Sequence, residues 1–272
     1  MTDDSVWARP VEPHTGRQRV VEQEPEPTPE AAQWAPAKPR VKIESLLTTD
    51  HPPSESVLSA SGVTRTFMRG SEEIKALKGI DLDLRRGELV ALVGRSGSGK
   101  TTMLNVLCGW EVPDSGTVCW NGNAEMDVAK VNWAGMALVP QSPGLLDDMT
   151  VSENVGLACR LRGDREDVTR VRVDDLLESL GLLQLAGRLP TELSLGEQQR
   201  TSVARALVLQ PDVLLADEPT AHQDPGFMQK VIDAIRSVVD SNRACLVASH
   251  NSEILKAADR VIEMSDGRLI SH

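Results

Sequence analysis

The segment Gly94–Thr101, with the sequence GRSGSGKT, limits the possible folds of this chain more than any other feature. It follows the apolar run Leu89–Val93, which predicts a central strand covered on both faces, and a helix is expected from about Gly99 to Leu107. Glycines at such a junction let backbone N–H groups curl around an anion, and the start of the helix adds a positive field. The segment therefore predicts a phosphate-binding loop at the end of a buried strand.

Two side chains of this loop have specific expected tasks. Lys100 should reach the β- and γ-phosphates of a nucleoside triphosphate, and the Thr101 hydroxyl should bind Mg²⁺. A chance glycine turn with an exposed lysine is the alternative, but the flanking strand and helix favour the phosphate site. The residues expected to contact the nucleotide through this loop are Gly94, Arg95, Ser96, Gly97, Ser98, Gly99, Lys100, Thr101 and Thr102.

A second apolar run, Val213–Ala216, is followed by two acidic residues, Asp217 and Glu218. An acid at the end of a buried strand beside a phosphate loop can hold Mg²⁺ through water, and the next acid can accept a proton from an attacking water. Two neighbouring carboxylates at a strand end are more often solvated charges. The spacing from the phosphate loop suits a returning core strand, which favours the functional interpretation.

The composition favours an α/β core and argues against some partners. Apolar residues make up 40% of the 272 residues but aromatic residues only 3%, with no tyrosine, so the core must consist mainly of leucine, valine, alanine and isoleucine, which suits a parallel sheet. The net charge of -11 argues against nucleic acid as the main partner, since phosphate backbones require a basic surface. The four cysteines lie far apart without a C-x-x-C pair, which favours buried free thiols over disulfides or a zinc site.

Residues 1–55 differ in composition from the rest of the chain. They contain nine of the 16 prolines and, with ten acidic and six basic residues, carry a charge of -4. So many prolines and so few clustered apolar residues cannot form a core, and we expect a disordered or partly extended Pro/Glu-rich tail. A docking arm that uses Trp7 or Trp34 is the alternative. The acidic start predicts no secretory signal, and no apolar stretch approaches the length that spans a bilayer.

Residues 56–272 are expected to form one α/β domain. The apolar pattern becomes helical from about 150 to 209, and a helical subdomain is expected at about 145–205. Two helix starts have capping-box spacing, with Ser or Thr followed three residues later by Glu, at Thr150 with Glu153 and at Ser194 with Glu197. Strand-like patterns occur at 57–67, 80–84, 89–93, 117–120, 213–216, 244–248 and 260–264.

In the order and spacing of its motifs, the stretch from about 57 to 270 resembles the ATP-binding cassette (ABC) ATPases. Leu193–Arg200, with the sequence LSLGEQQR, is similar to that family's signature sequence, and Val139–Gln141 is similar to its Q-loop. The end of the D-loop, the switch histidine and the aromatic residue that the family places against adenine are matched by Asp224, His250 and Phe67. Each match alone is weak, whereas their order around one phosphate loop is specific.

The resemblance implies a P-loop NTPase (RecA-like) core with an antiparallel β subdomain and a helical insert, acting as an ATPase with ATP and Mg²⁺. Two cassettes of this family meet head to tail, which implies a homodimer here, with ATP between one chain's phosphate loop and the other chain's Ser194, Gly196 and Glu197. Glu218 would polarise the attacking water, and His250 would steady that water and the γ-phosphate. Gln141 would sense Mg²⁺ and water, so the metal site implied is Thr101, Gln141 and Asp217.

Two residues depart from the family pattern. Leu195 replaces the first glycine of the signature sequence, and at a helical position it would preserve the backbone N–H and affect only close approach. Gln223 lies in the D-loop where the family commonly has leucine, so the apolar contact made there is lost. His222 is expected to be a surface residue. Both departures fall in the half of the site that each chain lends to its partner.

The stretches Gln141–Leu146 and Ala216–Thr220 look closest to the lipoprotein-exporter and macrolide-exporter branch of the family. We therefore expect an ATPase subunit that powers a separate integral membrane permease of an exporter and lies peripherally on the cytoplasmic side of the cell membrane. A soluble or division-type ABC ATPase that acts on a membrane protein without transport is the alternative.

Removal of residues 1–55 tests the predicted tail. The truncated chain should keep its ATPase activity within about twofold and its melting temperature within about 2 °C, because a segment without a core contributes little to folding. Phosphate release and scanning calorimetry on full-length and truncated protein measure both quantities. A large loss in either would show that the segment is structural.

Overall fold

The computed structural model describes residues 56–123, 130–131 and 134–270. The tail predicted for residues 1–55 lies outside these residues, so the domain boundary near residue 56 stays a prediction. Within the described residues, no helix is long and apolar enough to cross a membrane.

The described residues form nine strands and six α-helices. The strands are β1 (Ser56–Arg69), β2 (Glu72–Arg85), β3 (Leu89–Val93), β4 (Ser115–Trp120), β5 (Met136–Val139), β6 (Val213–Asp217), β7 (Ala244–Ala248), β8 (Arg260–Ser265) and β9 (Arg268–Ile270). The helices are α1 (Lys100–Leu107), α2 (Val151–Arg162), α3 (Glu166–Ser179), α4 (Leu195–Leu207), α5 (Pro225–Asp240) and α6 (Ser252–Ala257). Short 3-10 helices lie at Leu183–Leu185 and Pro190–Glu192.

Six strands form one sheet in the order β5-β6-β7-β3-β8-β9. Neighbouring strands are parallel except at the edge, where β9 pairs antiparallel with β8. Every residue of β6 and β7 is buried, which explains why both strands are almost continuous apolar runs. The central strand predicted at Leu89–Val93 is confirmed as β3, which lies between β7 and β8.

A second, antiparallel sheet has the order β2-β1-β4 and covers one face of the larger one. Strand β2 shows the predicted alternation of buried and exposed residues, with Ile80, Leu82 and Leu84 buried between exposed or half-buried residues. These side chains join those of α1 and the β3 residues Val90 and Leu92 in one apolar cluster. The other face of β3 packs into a cluster with residues of α2, α3, α4 and α5. The fold is thus the predicted α/β class, with an antiparallel subdomain.

Helices α2, α3 and α4 lie between β5 and β6 in the chain. Both predicted capping boxes are present: the Thr150 hydroxyl accepts from the Glu153 N–H at the start of α2, and the Ser194 hydroxyl accepts from the Glu197 N–H at the start of α4. The carboxylate of each glutamate in turn accepts a hydrogen bond from the backbone N–H of its capping residue. The starts of both helices are therefore fixed by interactions within four residues.

All four cysteines are free thiols, as predicted. Cys159 and Cys245 are buried, but Cys108 and Cys119 are only half-buried, so the expected burial holds for two of the four. Burial raises the pKa of Cys108 to about 11, which keeps this thiol protonated near neutral pH.

Candidate functional site

The carboxyl ends of β3, β6, β7 and β5 lie side by side at one edge of the large sheet. Parallel strands bring the residues that follow them to the same edge, however far apart these residues are in the chain. The residues there are the glycine loop Gly94–Gly99 after β3, Asp217 and Glu218 at the end of β6, Ser249 and His250 after β7, and Gln141 after β5. This edge is the candidate site.

The glycine loop is packed so closely that two of its positions have no room for a side chain. A Cβ on Gly94 would lie 2.3 Å from the carbonyl oxygen of Met264 in β8. A Cβ on Gly99 would lie 2.5 Å from the carbonyl oxygen of Ala76 in β2, and Gly99 has a φ of +108°, which favours glycine. The loop is therefore held between β8 and β2, with its backbone fixed at the start of α1.

The polar groups of this loop suit an anion. The Lys100 ammonium donates to the carbonyl oxygens of Gly94 (2.8 Å) and Arg95 (3.2 Å), so its positive charge folds back over the loop. The Ser98 hydroxyl is buried and has no hydrogen-bond partner in the described part of the chain. A buried hydroxyl without a partner is uncommon in folded proteins and is expected where a ligand completes its hydrogen bonding.

The Thr101 hydroxyl donates to an oxygen of Asp217 at 2.5 Å, which joins the start of α1 to the end of β6. Asp217 is only 4% exposed, and burial raises the pKa of its carboxyl group, as does the neighbouring Glu218, while Thr101 and Lys100 act in the opposite direction. Mg²⁺ is commonly held by a few protein oxygens together with phosphate oxygens and water. A hydroxyl paired with one carboxylate fits that requirement. No group of three or more His, Cys, Asp and Glu side chains able to hold a metal occurs in the described residues.

Glu218 is held at the edge by two side chains that follow β7. One of its carboxylate oxygens lies 2.7 Å from His250 Nδ1, and the other accepts from the Ser249 hydroxyl at 3.0 Å. Glu218 also has a φ of +48°, which a non-glycine residue adopts at a cost of about 1 kcal/mol or more. Ser249 is buried but was given no role from the sequence, although a serine between the apolar run 244–248 and His250 is a signal that could have identified it.

Two predicted site residues lie apart from these contacts. Gln141 is exposed and forms no hydrogen bond with any described residue, so the structure does not bring it into contact with Thr101 or Asp217. Phe67 is half-buried on β1, with the Arg65 guanidinium carbon 4.9 Å from its ring centroid. Phe67 pairs with Ile74 of β2, and β2 contacts the glycine loop two residues further along at Ala76.

The predicted residues Ser194, Gly196 and Glu197 form a separate group at the start of α4. No hydrogen bond or ion pair between described residues connects them to the glycine loop. Hydrogen bonds from the backbone and hydroxyl of Ser194 lower the pKa of the Glu197 carboxyl group. Leu195, the departure from the signature pattern, lies in the first turn of α4 and is 58% exposed.

Gly196 packs against the loop that leaves β6. A Cβ on Gly196 would lie 2.6 Å from the carbonyl oxygen of His222. The sequence indicated only that an apolar contact would be missing at Gln223, but the structure shows two hydrogen bonds there, to Gly196 and Arg200. Arg200 was not identified as a site residue from the sequence. His222 is exposed, as predicted.

Comparisons with known proteins agree with this geometry. The sequence model of the ABC transporter family matches residues 77–221. A lipoprotein-releasing system ATP-binding protein of Paramagnetospirillum magneticum is 39% identical over 219 residues, which cover 78% of this chain and 97% of that protein. A macrolide export ATP-binding/permease protein of Shewanella sp. is 35% identical over 223 residues, which cover 80% of this chain but 34% of that protein.

Among solved structures, a dimeric ATP-binding cassette in a post-hydrolysis state, bound to ADP and Pi, is similar. It has a TM-score of 0.74 and 29% sequence identity, and the match covers 79% of this chain and 97% of that one. A second dimeric structure, of a bacterial ABC transporter cassette, also has a TM-score of 0.74, with 30% identity.

Gly196→Ala tests the close packing between α4 and the loop after β6. An alanine in a helix usually stabilises a protein relative to glycine, but here the clash with His222 should lower the free energy of unfolding by about 2 kcal/mol. Gly187→Ala is the control, because no atom lies within 4 Å of its added Cβ. Chemical denaturation of both variants gives the difference. Equal stability of the two variants would contradict the packing described here.

Proposed function

The chain belongs to the ABC transporter family, and from that premise we propose that it is the ATP-hydrolysing subunit of an exporter whose permease is a separate membrane protein. One observation carries the proposal. The glycine loop with Lys100, the Thr101–Asp217 pair and the Glu218–His250 pair converge at one edge of the parallel sheet. This arrangement provides groups for phosphate binding, for a divalent cation and for activating water at one place.

ATP binding is proposed to use the glycine loop and Phe67. The backbone N–H groups of residues 94–102 would surround the phosphates, and Lys100 would exchange its two carbonyl acceptors for phosphate oxygens. The Ser98 hydroxyl, which has no hydrogen-bond partner among the described residues, supports an anion at this place. Phe67, on the strand beside β2, would stack against adenine. Thr101 and Asp217 would hold Mg²⁺, with Gln141 as a further proposed ligand, and the bound cation would neutralise phosphate charge.

Hydrolysis is proposed to depend on Glu218. Its carboxylate would polarise the attacking water, and His250 would steady that water and the γ-phosphate. Ser249 and His250 hold the two carboxylate oxygens from one side, which fixes the orientation of the base. Gln141, which is exposed on the loop after β5, would contact the cation and the water. Catalysis of this kind consists mainly of positioning and charge stabilisation.

A homodimer is proposed to complete the site. Ser194, Gly196 and Glu197 lie at the start of α4, and no hydrogen bond or ion pair between described residues connects them to the chain's own glycine loop, which supports their contacting a nucleotide held by a second chain. The Ser194 side chain is exposed, and the helix start behind it favours an anion. The similar solved cassettes are dimers, which supports a second copy of this chain as the partner.

The permease is proposed to bind an apolar groove of about 370 Å³ beside the site. The groove is lined from α2, α4, β5 and the turn after α1, and Trp110 on its rim is 66% exposed. Leu138 and Pro140 line it directly before Gln141, and Arg205 donates to the carbonyl oxygens of Pro143 and Gly144 just after it. A permease segment in this groove would therefore contact the loop that carries Gln141. The names of the relatives, which refer to lipoprotein release and macrolide export, support a membrane partner. A chain bound to such a partner would lie peripherally on the cytoplasmic side.

Glu218→Gln tests the assigned base. The variant should bind ATP and accumulate as an ATP-bound dimer, with hydrolysis at least about 100-fold slower, because the amide cannot accept the proton. Gel filtration in the presence of ATP measures the dimer, and an assay of released phosphate measures hydrolysis. Lys100→Ala is the control that should bind no ATP and form no such dimer. Unchanged turnover in Glu218→Gln would exclude this residue as the base.

Trp110→Asp tests the docking groove, with Leu161→Asp as the control. The two wild-type side chains are equally exposed, at 66% and 67%, but only Trp110 lines the groove. In cells of the native host, Trp110→Asp should move the chain from the membrane fraction to the supernatant, because an apolar contact is replaced by a charge. Leu161→Asp should remain with the membranes. If both variants sediment like the wild type, the groove is not the docking surface.

A further inference from the structure

We propose that Gln223 is a positioning residue that couples the two half-sites of one chain. It connects the loop 218–224, which begins at Glu218, to α4, whose start carries Ser194 and Gly196. The inference rests on the proposed function. There, the half-site with Glu218 acts on the chain's own nucleotide, and the half-site with Ser194 and Gly196 contacts the nucleotide of the partner. It assigns a role to the residue that departs from the leucine expected in the D-loop.

The amide of Gln223 uses both of its polar groups to hold α4. Its Nε2 donates to the carbonyl oxygen of Gly196 at 2.8 Å, and its Oε1 accepts from Arg200 Nη1 at 2.6 Å. Gly196 and Arg200 are four residues apart in α4 and therefore lie on the same face of that helix. An apolar side chain of the same size could fill this space but could make neither bond.

Arg200 makes the contact energetically important. It is only 4% exposed, its guanidinium carbon lies 3.9 Å from the ring centroid of Phe227 in α5, and its Nε has no partner in the described part of the chain. Within that part, the hydrogen bond to Gln223 is the one its guanidinium forms. A buried charge that loses its acceptor destabilises the arrangement around it. Gln223 thus keeps a buried cation in place between α4 and α5.

The loop and the helix are also in close backbone contact. The His222 carbonyl oxygen occupies the space where a Cβ of Gly196 would lie, and His222 itself has a φ of +59°. At the other end of the loop, the Ala221 N–H donates to the Glu218 carbonyl oxygen at 3.0 Å and closes a tight turn. A displacement at Glu218 is therefore passed through a short, hydrogen-bonded loop to the start of α4.

This connection predicts cooperativity between the two ATP sites of the dimer. The state of a chain's own Glu218 would set the position of the helix start that it presents to the nucleotide on its partner. Loss of the Gln223 bonds should leave ATP binding to the glycine loop intact, because Gln223 forms no hydrogen bond with that loop in the described structure. Loss of these bonds should reduce ATP turnover and the cooperativity between the two ATP sites of the dimer.

The test compares Gln223→Met with Gln229→Met in the full-length chain. Methionine has about the length and shape of glutamine without its hydrogen bonds. Gln229 is an exposed glutamine of α5 whose side chain, among the described residues, donates to Asp233 on the same helix and to no other group. Gln223→Met should lower kcat about tenfold and bring the Hill coefficient for ATP toward 1, with the ATP dissociation constant of the monomer within about twofold of wild type. Gln229→Met should match the wild type in all three quantities.

A double-mutant cycle with Arg200→Met shows whether Gln223 acts through Arg200. Removing the buried charge as well removes the need for its acceptor, so Arg200→Met/Gln223→Met should fold even if Gln223→Met does not. Its loss of kcat should be no larger than that of Arg200→Met alone, because the two residues act as one unit. Additive losses would overturn the proposed route.

The outcomes separate the inference from the proposed function. If the wild-type chain hydrolyses ATP and Gln223→Met has the same kcat and Hill coefficient, the inference is overturned and the proposed function is not. A loss of both ATP affinity and thermal stability in Gln223→Met, without a change in the Hill coefficient, also overturns the inference. That result indicates a structural role only. A wild-type chain that hydrolyses no more ATP than Lys100→Ala overturns the proposed function and this inference with it.

Discussion

Strands β3, β6 and β7 lie side by side in a parallel sheet with both faces buried, and this burial fixes the position of their carboxyl ends. Because the strands run in the same direction, the glycine loop, Asp217 and His250 meet at one edge although they are far apart in the chain. The loop packs closely at that edge, since backbone oxygens of β8 and β2 occupy the space where a Cβ of Gly94 or Gly99 would lie. The chemistry of the site therefore depends on the packing of one sheet.

Several groups at this edge are held in arrangements that cost free energy in the absence of a ligand. Asp217 is buried with a raised pKa, the Ser98 hydroxyl has no partner among the described residues, and Glu218 has a positive φ. A phosphate or a cation bound here would supply the missing charge or hydrogen bond. Costs of this kind are typical of functional sites, because the rest of the fold provides the stability that maintains them.

The loop after β6 connects the two proposed half-sites of the chain, the one that binds its own nucleotide and the one that would contact the nucleotide of a partner. Glu218 lies at its start, and Gln223, five residues later, holds the helix whose first turn carries Gly196. The departures from the family pattern at Leu195 and Gln223 have different consequences here. Leu195 is exposed at the surface, where it changes what a partner chain would contact, whereas Gln223 replaces an apolar contact by two hydrogen bonds within the chain.

The pattern of residues along the chain predicted the class of fold, the phosphate loop and both capping boxes, because these depend on residues within a few positions of one another. It missed β5 and β9, whose four and three residues are too few for a periodic pattern, and it did not identify α5. Three contacts became visible through the three-dimensional packing alone: Thr101 bonds to Asp217, 116 residues away, Ser249 and His250 contact Glu218, and Gln223 bonds to Arg200. These contacts arise from the order of strands in the sheet and from the packing of α4 on the loop after β6, which no local pattern of residues encodes.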